Sequence, residues 1–217
     1  MKAIVQRVLQ SSVTVDGKVV SSIGQGLCVL VGITQHDSPR ELDWMVRKIL
    51  NLRVFEDDAE KKWNKSVMDK QYEILCVSQF TLAVTMKGNK PDFHEAMNPE
   101  LSQPFYREFL KQLGENYSPE KIKDGEFGAY MQVHIQNDGP VTIPLETPDS
   151  LKDDPKLNKK YNNPKKTLNP GAKGGAGSKS VTGKKEVPGS TGLEPKDSPQ
   201  LLPSDLQQVL RRPQRML

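Results

Sequence analysis

Cysteine and histidine are scarce in this chain of 217 residues, which contains two of the first and three of the second. Cys28 and Cys76 lie far apart, so the sequence has neither a CxxC pair nor a Cys/His metal cluster. Each lies inside an apolar run and no secretory signal precedes them, which predicts buried free thiols in a reducing compartment. We therefore expect neither a metal nor another cofactor.

Long apolar runs are also missing. No stretch approaches the ~20 apolar residues that a helix needs to cross a bilayer, so we expect a soluble protein without a membrane partner. The sequence predicts a cytoplasmic location and leaves access to the nucleus open, because the C-terminal segment is basic.

The usual catalytic patterns are absent as well. The sequence has no G-x-S-x-G elbow, no Ser/His/Asp order and no spacing typical of paired catalytic carboxylates. The charged run at residues 56–62 lacks the ligand spacing and glycine of an EF-hand, which favours a solvated loop over a metal site. Ser78 and Thr81 are hydroxyls beside a strand end and a candidate pocket, but no base is evident nearby. This absence argues against covalent catalysis by side chains.

Charge divides the chain into two parts. Residues 1–150 contain 17 Lys and Arg against 21 Asp and Glu, a formal charge of −4, whereas the remainder contains 14 against 6, a charge of +8. We predict one domain over residues 1–148 and a basic, Gly/Pro/Lys-rich disordered tail over residues 149–217.

The first domain alternates strand and helix patterns. We expect strands at 2–8 and 11–15, a hairpin turn at Asp16-Gly17, a buried strand at 26–33 and further strands at 73–77 and 130–136. One helix begins at Ser38-Pro39 and has an apolar stripe formed by Leu42, Met45, Val46, Ile49 and Leu50. A second helix is framed by Pro99 and Pro104 and ends at Gly114, with an apolar face of Phe105, Phe109, Leu110 and Leu113.

Two of the strands end in unusual motifs. The strand at 73–77 leads into Ser78-Gln79-Phe80-Thr81-Leu82, and the strand at 130–136 leads into Asn137-Asp138-Gly139-Pro140-Val141-Thr142. By themselves, the second motif and its Asp-Gly-Pro sequence indicate a connection between two strands. Together with the opening residues 1–8, however, the two motifs resemble the D-aminoacyl-tRNA deacylases of the widespread bacterial and eukaryotic type. The resemblance extends from residue 1 to about residue 147.

The resemblance implies a function in chiral proofreading. A homodimeric hydrolase would cleave the ester of D-aminoacyl-tRNA, and of glycyl-tRNA, and would reject L-aminoacyl-tRNA. We predict a single α+β domain, mainly antiparallel sheets curled toward a barrel with two principal helices. The partners are then aminoacyl-tRNA and a second copy of the chain.

The resemblance also implies roles for individual residues. Gly139 and Pro140 would be joined by a cis peptide bond and would reach from one subunit into the active site of the other. There they would present main-chain oxygens to the aminoacyl Cα. Arg7 would hold this Gly-Pro element in place. Main-chain N–H groups near Phe80 and Thr81 would stabilise the oxyanion, and the terminal adenosine's 2′-hydroxyl would assist. The remaining assignments are Gln79 and Phe80 to the pocket, Ser78 to loop support, Thr81 to loop support or nucleophile, and Met131 and Phe93 to an adenosine pocket or the core.

Two other functions remain open. The +8 tail is suited to neutralising phosphates, so the chain would bind DNA through the tail while the core served as a dimeric scaffold. Alternatively, the tail would only support tRNA binding or have no fixed partner. A third hypothesis is an esterase that uses Thr81 on small D-amino esters, independently of tRNA.

Overall fold

A computed structural model of the chain describes residues 1–149 and 151. The predicted tail, residues 149–217, therefore lies outside the described residues except for Asp149 and Leu151, and the domain division stays a prediction. The described elements are β1 (Lys2–Val15), β2 (Lys18–Ile23), β3 (Gly26–Gly32), α1 (Pro39–Asn51), β4 (Glu73–Ser78), β5 (Thr85–Lys87), β6 (Lys90–Asp92), α2 (Pro99–Asn116), β7 (Ile122–Asp124) and β8 (Met131–Glu146).

The main sheet has six strands and is built around β1. The long β8 pairs antiparallel with β1 along nearly its whole length, while the other edge of β1 pairs antiparallel with β3 and then with β2. β4 continues the sheet parallel to β3, and β7 continues it parallel to β4. β2 approaches β4 and β7, so the mixed sheet is nearly closed into a barrel. The α+β prediction is confirmed, and antiparallel pairs predominate.

The long strands correct two predicted boundaries. Residues 2–8 and 11–15 form one strand, because Gln10, which lies between the two predicted strands, pairs with Gln136 of β8. β8 likewise continues past the predicted end at residue 136. The predicted hairpin turn at Asp16-Gly17 is confirmed, with φ values of 48° and 76°.

Hydrophobic cores lie on both faces of β3 and β4. Leu27 and Val29 face the core that includes the helices, whereas Cys28, Leu75 and Val77 face a second core inside the curl of the sheet. This double burial confirms the buried strand expected from the continuous apolar run. Cys28 and Cys76 are buried free thiols, as expected, and burial raises the pKa of each.

The two helices pack on one face of the sheet. At the start of α1 the Ser38 N–H donates to Glu41 Oε2 (2.8 Å) in a capping box, and the predicted apolar stripe is buried. The predicted end of α2 at Gly114 is wrong, since the helix continues to Asn116. Its buried face consists of Ser102, Tyr106, Phe109, Leu113 and Gly114, while Phe105 and Leu110 are only partly buried. Gly114 is buried where Pro119 packs closely against the helix.

Candidate active site

The loop after β4 contains the first predicted motif. Ser78 is the last residue of β4, and the Gln79 N–H donates to Val31 O (2.7 Å), which ties the loop to β3. Residues 80–83 form one 3-10 turn, closed by the Leu82 N–H donating to Gln79 O (3.2 Å). Because the first N–H groups of such a turn have no acceptor within it, those of Phe80 and Thr81 are suited to an incoming oxyanion.

A close backbone contact positions this loop. A Cβ at Gly32, the last residue of β3, would lie 2.7 Å from Leu82 Cβ and 3.1 Å from Gln79 O. Real Cβ atoms do not approach other heavy atoms as closely as the first of these distances. Glycine at this position therefore allows the loop to lie directly against the end of β3.

The Thr81 hydroxyl is engaged within the loop. Gln79 Nε2 donates a hydrogen bond to Thr81 Oγ1. A carboxamide is not basic enough to remove a proton from a hydroxyl, in either orientation of the amide. The arrangement is therefore that of a braced loop.

Phe80 and Phe93 lie together at the edge of the loop. Their rings meet edge to face with centroids 5.2 Å apart, and Phe80 is 60% exposed. The backbone after Asp92 is held by its carboxylate, which accepts from the His94 N–H (2.9 Å), contacts His94 Nδ1 (2.6 Å) and forms an ion pair with Lys87. The hydrogen bonds from Lys87 and His94 hold the pKa of Asp92 well below its usual value. An aromatic edge thus borders the candidate oxyanion turn.

The second motif protrudes from the β1–β8 ladder. Gln6 pairs with Thr142 and Val8 pairs with Asn137, so residues 138–141 are extra residues opposite Arg7. These extra residues have no partners of their own on β1, so they leave the ladder and form a protruding segment, as in a large β-bulge. Within this segment the Gly139-Pro140 peptide bond is cis and Gly139 has a φ of 108°, which L-residues with side chains rarely adopt.

Arg7 contacts the protruding segment from the neighbouring strand. Its Nε lies 2.8 Å from Asp138 Oδ2, and its Nη1 donates to Val54 O (2.6 Å). A Cβ at Gly139 would lie 3.0 Å from Arg7 Nη2. The guanidinium therefore bridges the segment to the backbone after α1.

Met131 packs inside the curl of the sheet. Its Sδ would lie 2.6 Å from a Cβ at Gly125, and it contacts the second core. The Gly125 N–H donates to Cys76 O (3.0 Å), two residues before Ser78. Met131 is therefore a packing residue close to the end of β4, whereas the ring contact with Phe80 is made by Phe93.

The two motifs belong to different parts of the sheet. Ser78 ends β4, and residues 138–141 belong to β8, with β1 and β3 lying between these strands in the ladder. The structure therefore brings together the predicted residues within each motif, but the sheet does not make neighbours of the two motifs.

Sequence reasoning missed several residues near the site. Val54 contributes only its backbone carbonyl, for which no side-chain pattern exists. Lys87 and Asp92 form an ion pair between β5 and β6. In the sequence, the polar residues around Phe93 were the one indication of this ion pair. Over residues 1–149 and 151, no group of three or more His, Cys, Asp or Glu is arranged to hold a metal. Neither described helix has the length and apolar character needed to cross a membrane.

Residues 4–146 match the family model described as D-Tyr-tRNA(Tyr) deacylase. The chain belongs to this family. It is 68% identical over 148 residues to human D-aminoacyl-tRNA deacylase 1, which covers 68% of this chain and 71% of the human protein. It is 56% identical over 159 residues to D-aminoacyl-tRNA deacylase of Drosophila melanogaster, covering 73% of this chain and all of the fly protein.

A solved structure shares the architecture of this deacylase-family domain. The structure, named c-Myc DNA Unwinding Element Binding Protein, is 68% identical and has a TM-score of 0.67. The match covers 68% of this chain and 99% of the solved chain. The family domain by itself thus accounts for nearly all of that solved chain.

Proposed function

We propose that this protein is a D-aminoacyl-tRNA deacylase, a carboxylic ester hydrolase that releases free D-amino acid and tRNA. The observation that supports this function best is the 68% identity to human D-aminoacyl-tRNA deacylase 1. The family match spans both structured motifs, the turn after Ser78 and the segment at residues 138–141. We expect glycyl-tRNA to be hydrolysed as well, because glycine has no side chain to exclude.

We further propose that selection against L-amino acids uses the Gly139-Pro140 segment of a second subunit. The ladder separates this segment from the turn at residues 80–83 by two strands, so two copies of the chain offer a simple way to bring the motifs face to face. Main-chain carbonyls and the proline ring would occupy the space that an L side chain needs. A D side chain would point away from them, and rejection by rigid backbone works for many side chains at once.

The proposed chemistry uses water as the nucleophile. The main-chain N–H groups of Phe80 and Thr81 would stabilise the oxyanion that forms when water attacks the ester. The hydrogen bond from Gln79 to the Thr81 hydroxyl supports a bracing role for Thr81. Phe80 and Phe93 would contact the terminal adenosine, and the 2′-hydroxyl of that nucleoside would assist.

The deciding experiment measures amino acid release from D-Tyr-tRNA, L-Tyr-tRNA and Gly-tRNA. It uses the full chain and a chain ending at Leu151, since the family match covers residues 4–146. We expect hydrolysis of the D and glycyl esters alone, retained after truncation. Survival of all three esters would refute the proposal. The molar mass in solution, measured by light scattering, separates a homodimer from a monomer.

The second candidate function is DNA binding. It is favoured by the solved relative named c-Myc DNA Unwinding Element Binding Protein. If the +8 tail binds DNA, affinity should fall steeply with salt and disappear after truncation at Leu151. Affinity retained after truncation would locate DNA binding in the family domain. We propose a cytoplasmic location with access to the nucleus, to be checked by fluorescence microscopy of the tagged chain.

A further inference from the structure

The short ribbon of β5 and β6 is attached to the candidate site at both ends. β5 begins at Thr85, directly after the turn formed by residues 80–83 and Val84. β6 returns through Asp92 to Phe93, whose ring contacts Phe80. Any molecule bound at the turn therefore lies beside this ribbon.

The ribbon is exposed and has an unusual pair of charges. Every residue of β5 and the first two residues of β6 are exposed, including Met86 at 60%. Lys87 and Lys90 are direct cross-strand partners, so their side chains project from the same face. Like charges placed directly opposite each other are destabilising. The Asp92 carboxylate neutralises Lys87, and the remaining positive charge of the pair is available to an anion.

The charge of the surrounding domain makes this location distinctive. Residues 1–150 have a formal charge of −4, which repels a polyanion on average. A cationic ribbon next to Phe80 would therefore act as a local attractor for phosphate groups. The exposed ring of Phe80 and the nearby cations together match the way single-stranded nucleic acid is bound, by aromatic contacts to bases and cationic contacts to the backbone.

We propose that the β5–β6 ribbon binds the single-stranded 3′ end of the tRNA, with Lys90 contacting its phosphates. This inference rests on the proposed function, in which the terminal adenosine and its ester occupy the turn after Ser78. The three-residue strands reach about 10 Å from the site. That distance brings Lys90 alongside the nucleotides that precede the terminal adenosine.

The test compares substrates with and without those nucleotides. The full-length chain and its variants Lys90→Ala and Lys90→Glu are assayed on D-Tyr-tRNA and on D-tyrosyl-adenosine, at several salt concentrations. Lys18→Ala is the matched control, because it removes one exposed lysine at the β1–β2 hairpin. For Lys90→Ala we expect KM for D-Tyr-tRNA to rise about 3- to 10-fold with kcat unchanged, and Lys90→Glu to have a larger effect. The slope of log(kcat/KM) against log[salt] should fall by roughly 0.7 to 1 for Lys90→Ala.

The nucleoside ester separates RNA binding from an indirect effect on the site. Wild type and Lys90→Ala should hydrolyse D-tyrosyl-adenosine equally well, since that substrate has no phosphate. An equal loss on both substrates, an unchanged KM and salt slope on D-Tyr-tRNA, or the same shift in Lys18→Ala would each overturn the inference.

A binding measurement keeps the inference distinct from the proposed function. If wild type hydrolyses neither ester, the proposed function fails, but fluorescence anisotropy with an uncharged RNA hairpin ending in a single-stranded CCA still tests the ribbon. Weaker binding by Lys90→Ala, with Lys18→Ala unchanged, supports the ribbon as an RNA contact. Equal binding by all three proteins refutes it.

Discussion

Replacing Arg7 with lysine should weaken discrimination between D- and L-aminoacyl-tRNA. Arg7 contacts Asp138 through Nε (2.8 Å) and donates to Val54 O through Nη1 (2.6 Å), so one planar group bridges two chain segments. A lysine keeps the charge but concentrates its donors on one compact ammonium, which cannot reproduce this fork. In the proposed mechanism, a less firmly held segment at residues 138–141 excludes an L side chain less effectively.

The expected size follows from the contact that is lost. A hydrogen bond to a charged group contributes about 1.5–3 kcal/mol. The hydrogen bond concerned is the one from Arg7 Nη1 to Val54 O (2.6 Å), and because the Arg7 side chain is 21% exposed, solvent weakens it and the lower limit applies. About 1.4 kcal/mol corresponds to a factor of ten in rate. The ratio of kcat/KM for D-Tyr-tRNA to that for L-Tyr-tRNA should therefore fall about tenfold.

The assay measures kcat/KM for D-Tyr-tRNA and for L-Tyr-tRNA on the same protein preparations. Arg47→Lys, on the exposed side of α1, is the matched control. Thermal unfolding of Arg7→Lys should show a decrease of a few degrees in Tm, as a loss of about 1 kcal/mol gives in a domain of this size. A folded Arg7→Lys protein whose Tm falls while its D/L ratio stays at the wild-type value would refute a role for Arg7 in selection. A ratio that falls equally in Arg47→Lys would show that the effect is not specific.

Three further predictions concern the turn after β4 and a raised carboxyl pKa. Gly32→Ala should lower the free energy of unfolding by about 1–3 kcal/mol and reduce hydrolysis, because its Cβ would lie 2.7 Å from Leu82 Cβ. Gly24→Ala is the control and should change neither quantity, because no atom lies within 4 Å of its Cβ. Equal urea denaturation curves for the two variants would contradict the packing argument. Thr81→Val should lower kcat less than about tenfold if water attacks the ester, whereas activity at the background rate would make Thr81 the nucleophile. Burial raises the pKa of Asp124, so its ionised form destabilises the folded state. Asp124→Asn should therefore have a higher Tm than wild type at pH 7. This difference in Tm should shrink as the pH falls toward the ordinary aspartate pKa of about 3.9, because the wild-type carboxyl in the folded protein is then protonated. A difference that is constant from pH 4 to pH 8 would contradict the last prediction.

Elements whose signals are local were predicted correctly. The stripe and cap of α1, the turn at Asp16-Gly17 and the buried strand β3 each depend on residues within a few positions of one another. The errors occurred where packing or strand pairing overrides a local break. Polar residues in the middle of β1 stay in a strand because β8 pairs with them, and Gly114 stays helical in α2, where it is packed against Pro119.

The sequence by itself determined the family, the two motifs and most of the elements that present them, because these are written in residue order and in short-range periodicity. Only the tertiary structure placed Arg7 against Asp138 and Val54, and Phe80 against Phe93. Arg7 and Val54 are 47 positions apart, and one partner is a backbone carbonyl that every residue possesses. No pattern in the chain specifies such a contact, because it arises from how the strands pair and pack.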